Sequence, residues 1–212
     1  DHHRWVHRYR IEVFQGRPGY ADEWFEIVEG RTRPIFKLVR NPYDRAASAY
    51  LHTLRALSKI RGDREPGLAR AARQMLARSG SSTRVSFRQF VTALSESKRQ
   101  SRTINPHLDP QYRTGEDVLI TRILKLESFE AETRALEAQY GLTAAPLDII
   151  TRSSHHRPKS AAEPGSLADA ELDDDALHGE NTPAYEAFYD RSLRNLVSEL
   201  YSEDFARYGY AT

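Results

Sequence analysis

Cysteine is absent from the 212 residues. That excludes disulfides, thiolate metal sites and a cysteine nucleophile, and it leaves open whether the compartment is reducing or oxidising. Long apolar runs are absent as well. Nothing approaches the ~18 consecutive apolar residues of a membrane-spanning helix, so no membrane span is expected in this chain. Neither sign of charge dominates: 31 Lys and Arg against 30 Asp and Glu leave a formal +1. Such a balance is too even for a general polyanion or nucleic-acid binder, although a local basic site can sit within it. Methionine occurs only at Met75 and the first residue is Asp1. The expectation is a chain whose beginning lies upstream, from which no signal peptide can be read. A glycine-rich loop ending in Lys-Ser/Thr is missing too, since the Gly16 to Gly19 turn lacks that ending and Lys37 falls within a strand-like run.

What is present fits one globular domain, residues 1–212, large enough to bury a core, with 39% hydrophobic and 29% charged residues. Residues 1–34 are polar and aromatic. Ile35 to Val39 reads as a short buried strand, Asn41 as a helix cap and Pro42 as a first helical residue. Ala47, Tyr50, Leu51, Leu54 and Leu57 then recur at helical spacing to about Lys59. An arginine-rich stretch follows, with a short helix from Leu68 to Arg78. Ser86 and Gln89 form a capping box that opens a helix carrying Phe87, Phe90, Val91 and Leu94. Further expectations are a strand in Val118 to Leu126, a helix from Ser128 to Tyr140 stopped by Gly141, a third strand at Leu147 to Thr151, and a final helix opening at Thr182-Pro183. Strands alternating with helices indicate an α/β fold with a mainly parallel sheet flanked by helices, the 35–39 strand central in it.

The segment Leu38-Val-Arg-Asn-Pro-Tyr-Asp-Arg-Ala-Ala-Ser-Ala-Tyr50 carries chemistry. A strand ends at Arg40 and a helix begins at once, and helix N-termini favour anions. Arg40 can make a forked pair with a phosphate, Ser48 can offer a hydroxyl about two turns into the helix, and Arg45 shares a face with Ser48. On spacing alone, Arg40 could equally pair with an acidic neighbour and Ser48 be an ordinary helix serine.

The segment resembles the 3′-phosphate-binding motif of sulfotransferases that use the sulfate donor PAPS: a strand, then Arg-[Asp/Asn/Glu]-Pro-x-x-Arg-x-x-Ser-x-Tyr. Arg40, Asn41, Pro42, Arg45, Ser48 and Tyr50 fill every specified position. Asn105-Pro-His-Leu-Asp-Pro-Gln111 is similar to the His-aromatic-x-Pro-Gln segment of the carbohydrate branch, with Leu108 where an aromatic is usual. Ile123 to Phe129 is similar to that branch's strand ending in Glu before a helix. Tyr201-Ser-Glu-Asp-Phe-Ala-Arg-Tyr-Gly-Tyr210 resembles its C-terminal Tyr-x-x-Asp-Phe-x-x-Phe-Gly-Tyr pattern. The resemblance implies a P-loop-NTPase-like fold in which Arg40 and Ser48 hold the donor's 3′-phosphate. PAPS is then a co-substrate leaving as adenosine 3′,5′-bisphosphate, and the acceptor is a hydroxyl, best guessed as a sugar's. The family's earlier Lys-containing loop for the 5′-phosphosulfate has no counterpart here. The expectation is that it lies upstream of Asp1, that these residues alone are inactive and bind donor weakly, and that an unpaired edge lies beside the 35–39 strand.

In the implied reaction the acceptor hydroxyl attacks sulfur in line, and a base takes its proton. Histidine suits that role near neutral pH, with His7 and His107 the candidates ahead of His2 and His3. Solvation, or bracing of a loop, is the competing role for each. Arg152, Ser153, Ser154, Arg157 and Lys159 form a basic loop that the resemblance places over the nucleotide, Arg157 among its contacts; a solvated loop is the alternative. Arg70, Arg73, Arg78, Arg84 and Arg88 could line a groove for an anionic glycan, or form a solvated face. Paired histidines without an i,i+4 carboxylate make poor metal sites, and no metal is expected. Competing classes are a P-loop-like kinase, disfavoured by Arg40 where an acidic magnesium ligand would stand, and an inactive nucleotide-binding module. Only Lys37, Lys59, Lys98, Lys125 and Lys159 are lysines, an arginine bias associated with GC-rich bacterial genomes. The bacterial cytoplasm is thus the expected location, ahead of a Golgi lumen.

Overall fold

The run after Pro34 becomes strand β1 (Phe36–Val39) in the computed structural model, which describes residues 12–13, 15–60, 65–80, 84–100, 103–150, 159–160, 162–179 and 182–212. The chain is mixed α/β and rich in helix, with small parallel sheets. Its contacts divide it into two units, 1–39 with 114–156, and 40–113 with 157–212.

In the first unit β1 pairs in parallel with β2 (Arg122–Lys125), in register from Phe36 opposite Arg122 to Val39 opposite Lys125. Among the described residues β1 has this one strand partner, and the second strand, expected from Val118 to Leu126, is shorter: Val118 ends a 3₁₀ turn (Glu116–Val118) and the strand opens only at Arg122. Lys37 is paired with Glu116. Helix α1 (Tyr20–Gly30) was not legible in the sequence; Gly19, at φ 76°, makes the turn into it, and Asp22 and Glu23 sit favourably in its first turn. Helix α5 (Phe129–Tyr140) ends as expected at Gly141, whose φ of 61° suits a residue without Cβ. Residues expected as a third strand instead form the short helix α6 (Leu147–Ile150). Pro146 precedes it and Asp148 lies in its first turn, both helix-start signals that outweigh the β-branched Ile149-Ile150 pair; Thr151 lies outside the described residues.

The second unit is a helical packing. Asn41 opens α2 (Pro42–Leu57), followed by α3 (Gly67–Arg78) and α4 (Phe87–Arg99). The Ser86–Gln89 capping box is present in full. Its core centres on Tyr50, whose ring lies 5.4 Å from those of Phe87 and Phe90 and 5.6 Å from that of Phe188. The Tyr50 hydroxyl donates to Val85 O at 2.8 Å, so this buried ring carries no unpaired oxygen. After the short helix α7 (Asp174–His178), Thr182–Pro183 is not a helix start but a two-residue strand, β4, parallel to β3 (Lys159–Ser160). A 3₁₀ turn at Tyr185–Phe188 follows, and extended Tyr189 breaks the register (φ −113°, ψ 111°). The final helical run opens only where Asp190 accepts from Leu193 N at 2.8 Å, giving α8 (Arg191–Leu200) and α9 (Ser202–Tyr208).

Candidate functional site

Arg40 is the residue after β1, and the helix that follows is held at its first turn. The Asn41 side chain accepts from Tyr43 N at 2.9 Å, and the Tyr43 ring packs against Tyr189 and Phe205, with Tyr189 donating to Tyr43 O at 2.6 Å. Pro42 has no N–H and Tyr43's is taken by the cap, so two of the donors a helix start usually leaves for an anion are not available. The anion-binding capacity therefore rests on side chains. The Arg40 guanidinium lies 3.9 Å from Asp44 and 5.2 Å from the Tyr185 ring centroid, three-quarters buried and without a hydrogen bond among the described residues. Asp44 and Ser48 are one turn apart on the same row of α2. The Ser48 hydroxyl is half-buried and makes no hydrogen bond among the described residues.

The 104–111 segment runs along the same helix. Arg45 donates to Pro106 O at 2.8 Å and lies 5.7 Å from the Tyr201 ring, leaving its second amino group, Nη1, buried and unpartnered. His52, one turn beyond Ser48, meets the ring of His107 at 5.1 Å. The loop thus touches α2 on either side of Ser48, at Arg45 and at His52. Its own fold is tight: Asn105 O accepts from Leu108 N and Asp109 N, both at 2.8 Å, and Asp109 accepts from Ile104 N at 2.9 Å. Tyr201 pins it from below by donating to Leu108 O at 2.8 Å. Burial pushes the Tyr201 hydroxyl up to about 12, so it stays a donor across the working range, with Arg45 opposing the shift. Gln111 then reaches the Arg40 peptide, and buried Asp204 holds Gln111.

Three segments distant in sequence (Arg40 to Ser48, Asn105 to Gln111, Tyr201 to Phe205) therefore meet within one unit. The profile of the sulfotransferase family matches residues 23–211. The chain belongs to the sulfotransferase family. No match was found among curated proteins, and none among solved structures.

Of the residues proposed from sequence, Arg45 and Ser48 lie on α2, Arg40 just precedes that helix and reaches Asp44, and His107 meets it at His52. His7 and Arg157 lie outside the described residues, as do His2, His3 and residues 152–154. Of the arginines considered for a glycan groove, three are ion-paired: Arg70 and Arg73 reach Glu65, at 3.4 and 3.1 Å. Arg88 pairs with both Asp169 oxygens, at 2.6 and 3.1 Å, with Asp190, and with Ser192 at 2.8 Å. Among the described residues no group of three or more His, Asp or Glu could hold a metal, and no helix is long and apolar enough to cross a membrane. A cavity of about 500 Å³ lined by Leu54, Leu57, Ser58, Arg84 and Leu177 lies toward the other end of α2 and shares no residue with the motif. His52, Tyr185, Gln111 and Asp204 are the members that sequence reasoning missed as individuals. The signal was available for the last two, since each stands in a recognised segment.

Proposed function

We propose that this sulfotransferase takes its sulfuryl group from PAPS and passes it to a hydroxyl of a carbohydrate. The observation that carries the donor assignment is an Arg40 guanidinium that reaches α2 at Asp44, with the Ser48 hydroxyl one turn further along that helix, neither side chain hydrogen-bonded among the described residues. A phosphate, with its negative charge and several acceptor oxygens, can accept from both at once and gains a charge-assisted bond from the guanidinium. Bound there by its 3′-phosphate, the donor supplies an activated sulfur. A new O–S bond forms from the acceptor oxygen as the bond from sulfur to the 5′-phosphate oxygen breaks.

Within this reading His107 takes the acceptor proton. It is exposed, its loop is braced through Pro106, Leu108 and Asp109, and its ring is backed by His52. A base presented on a rigid loop suits proton transfer, which contributes typically ~10²–10⁴-fold. Arg45 adds positive charge beside the 3′-phosphate while bracing the loop. The P-loop-like layout, Arg157 as a nucleotide contact and the bacterial cytoplasm as location belong to the same proposal.

The test is transfer of labelled sulfate from PAPS to a panel of sugars by the full-length protein. Activity is expected with wild type. His107→Asn should lower kcat at least about a hundredfold with little change in donor affinity. Donor binding without transfer to any hydroxyl acceptor, or full activity of His107→Asn, would contradict the proposal in its catalytic part.

A further inference from the structure

One side chain takes both polar groups of the Arg40 peptide. Gln111 Oε1 accepts from Arg40 N at 2.9 Å, and Gln111 Nε2 donates to Arg40 O at 2.8 Å. This is the pair of bonds that a residue in a hydrogen-bonded antiparallel position exchanges with its partner. β1 ends at Val39, so the amide takes over as strand partner at the next residue. The backbone N–H and C=O of Arg40 are thereby both fixed just before Asn41 starts the helix.

The amide is itself oriented. Gln111 N donates to Asp204 Oδ2 at 2.9 Å and Tyr112 N to Asp204 Oδ1 at 2.7 Å, while Gln111 Nε2 lies 3.5 Å from Asp204 Oδ2. Asp204 is fully buried, at 0% exposure. A backbone N–H only donates and a backbone carbonyl only accepts, so the carbonyl end of the amide faces Arg40 N and the NH₂ end faces Arg40 O, on the side of Asp204. The order Asp204, Gln111, Arg40 is fixed by donor and acceptor chemistry, over sequence separations of 93 and 71 residues.

We propose that Gln111 is a positioning residue for Arg40: its amide sets the backbone from which the guanidinium reaches the donor's 3′-phosphate. This rests on the assignment of Arg40 to that phosphate. Among the described residues the Arg40 side chain has Asp44 at 3.9 Å and the Tyr185 ring to direct it. Its aim therefore depends on where its backbone is held. Preorganisation of that kind raises affinity for the group it serves and not for the rest of the ligand.

The experiment uses the full-length protein and two nucleotides, adenosine 3′,5′-bisphosphate and adenosine 5′-phosphate, which differ by the 3′-phosphate alone. Gln111→Met keeps the length of the side chain and removes both bonds to Arg40. The expected result is about a tenfold rise in Kd for the bisphosphate, or about 1.4 kcal/mol, with less than a twofold change for the 5′-phosphate. In an Arg40→Ala background the same substitution should add nothing further. Should Gln111→Met not fold, Gln111→Asn gives the same reading, because it is a methylene too short to span both polar groups of Arg40. An equal loss for both nucleotides, or a drop in melting temperature with the affinity ratio unchanged, makes Gln111 merely structural and overturns the proposal. If Arg40→Ala collapses the ratio and the Gln111 variants do not, positioning alone fails. If Arg40→Ala leaves the ratio intact, the donor assignment fails and takes this proposal with it.

Discussion

Removing Asp204 should be the most damaging single change to the architecture under the site. Its carboxylate is fully buried and accepts from Gln111 N at 2.9 Å and Tyr112 N at 2.7 Å. Asp204→Ala leaves two part-buried N–H groups without this acceptor, at about 1–3 kcal/mol each. Half-buried Lys98 would also lose a favourable charge: burial already lowers its pKa, and Asp204, with Glu203, is what opposes that shift. Some of this is recovered if water enters the space left by the carboxylate, so the net loss should be about 3–5 kcal/mol, in the range for breaking a buried charged network. Domains are usually stable by only ~5–15 kcal/mol, so the variant should be marginal. Asp204→Asn keeps one acceptor and should lose about half as much. Urea unfolding followed by circular dichroism reads both numbers, with the m-value checking that the transition stays two-state. A loss under 1 kcal/mol for Asp204→Ala would mean that the carboxylate does not hold the 111–112 peptide, and the reasoning would be wrong.

Other consequences can be measured on the same preparation. Tyr50→Phe should lose about 1–2 kcal/mol in urea unfolding, because Val85 O is left buried and unpaired. Hydrogen bonds from Leu193 N and then Arg88 hold the Asp190 carboxyl at about 2, below the ordinary carboxylate range. A depressed folded-state value gives stability that is present above pH ~4 and is lost as pH falls toward 2. Melting temperature should therefore fall over that window more steeply in wild type than in Asp190→Asn, and parallel curves would refute the linkage. The effect should be modest, since both Arg88 and Asp190 are partly exposed.

How much was legible follows from how far apart the determining groups lie. The strand–cap–helix unit from Phe36 to Leu57 and the Ser86–Gln89 box depend on neighbours within a few residues, and both formed as expected. The helix ending at Gly141 is equally local. Thr182-Pro183 misled because a Pro after a Thr reads as a helix start, whereas parallel pairing with Lys159–Ser160 decides its conformation. The candidate site divides in the same way. Arg40 and Ser48 stood out by their motif spacing, but Arg45 bracing Pro106 O and Gln111 clasping the Arg40 peptide are contacts across 61 and 71 residues. No periodicity records such contacts. His52 had no signal at all, being one more polar residue on a helix until the fold set it against His107.

The central claim is that Arg40 and Ser48 hold a 3′-phosphate. The most direct test is calorimetric titration of full-length wild type, Arg40→Ala and Ser48→Ala with adenosine 3′,5′-bisphosphate. Among the described residues the Arg40 guanidinium has a long ion pair with Asp44 and no hydrogen bond to give up on binding phosphate, so truncating it should cost about 2–4 kcal/mol, roughly thirtyfold to several hundredfold in Kd. Ser48→Ala should cost about 1 kcal/mol, as a neutral hydroxyl does. Unchanged affinity in both variants would contradict the account.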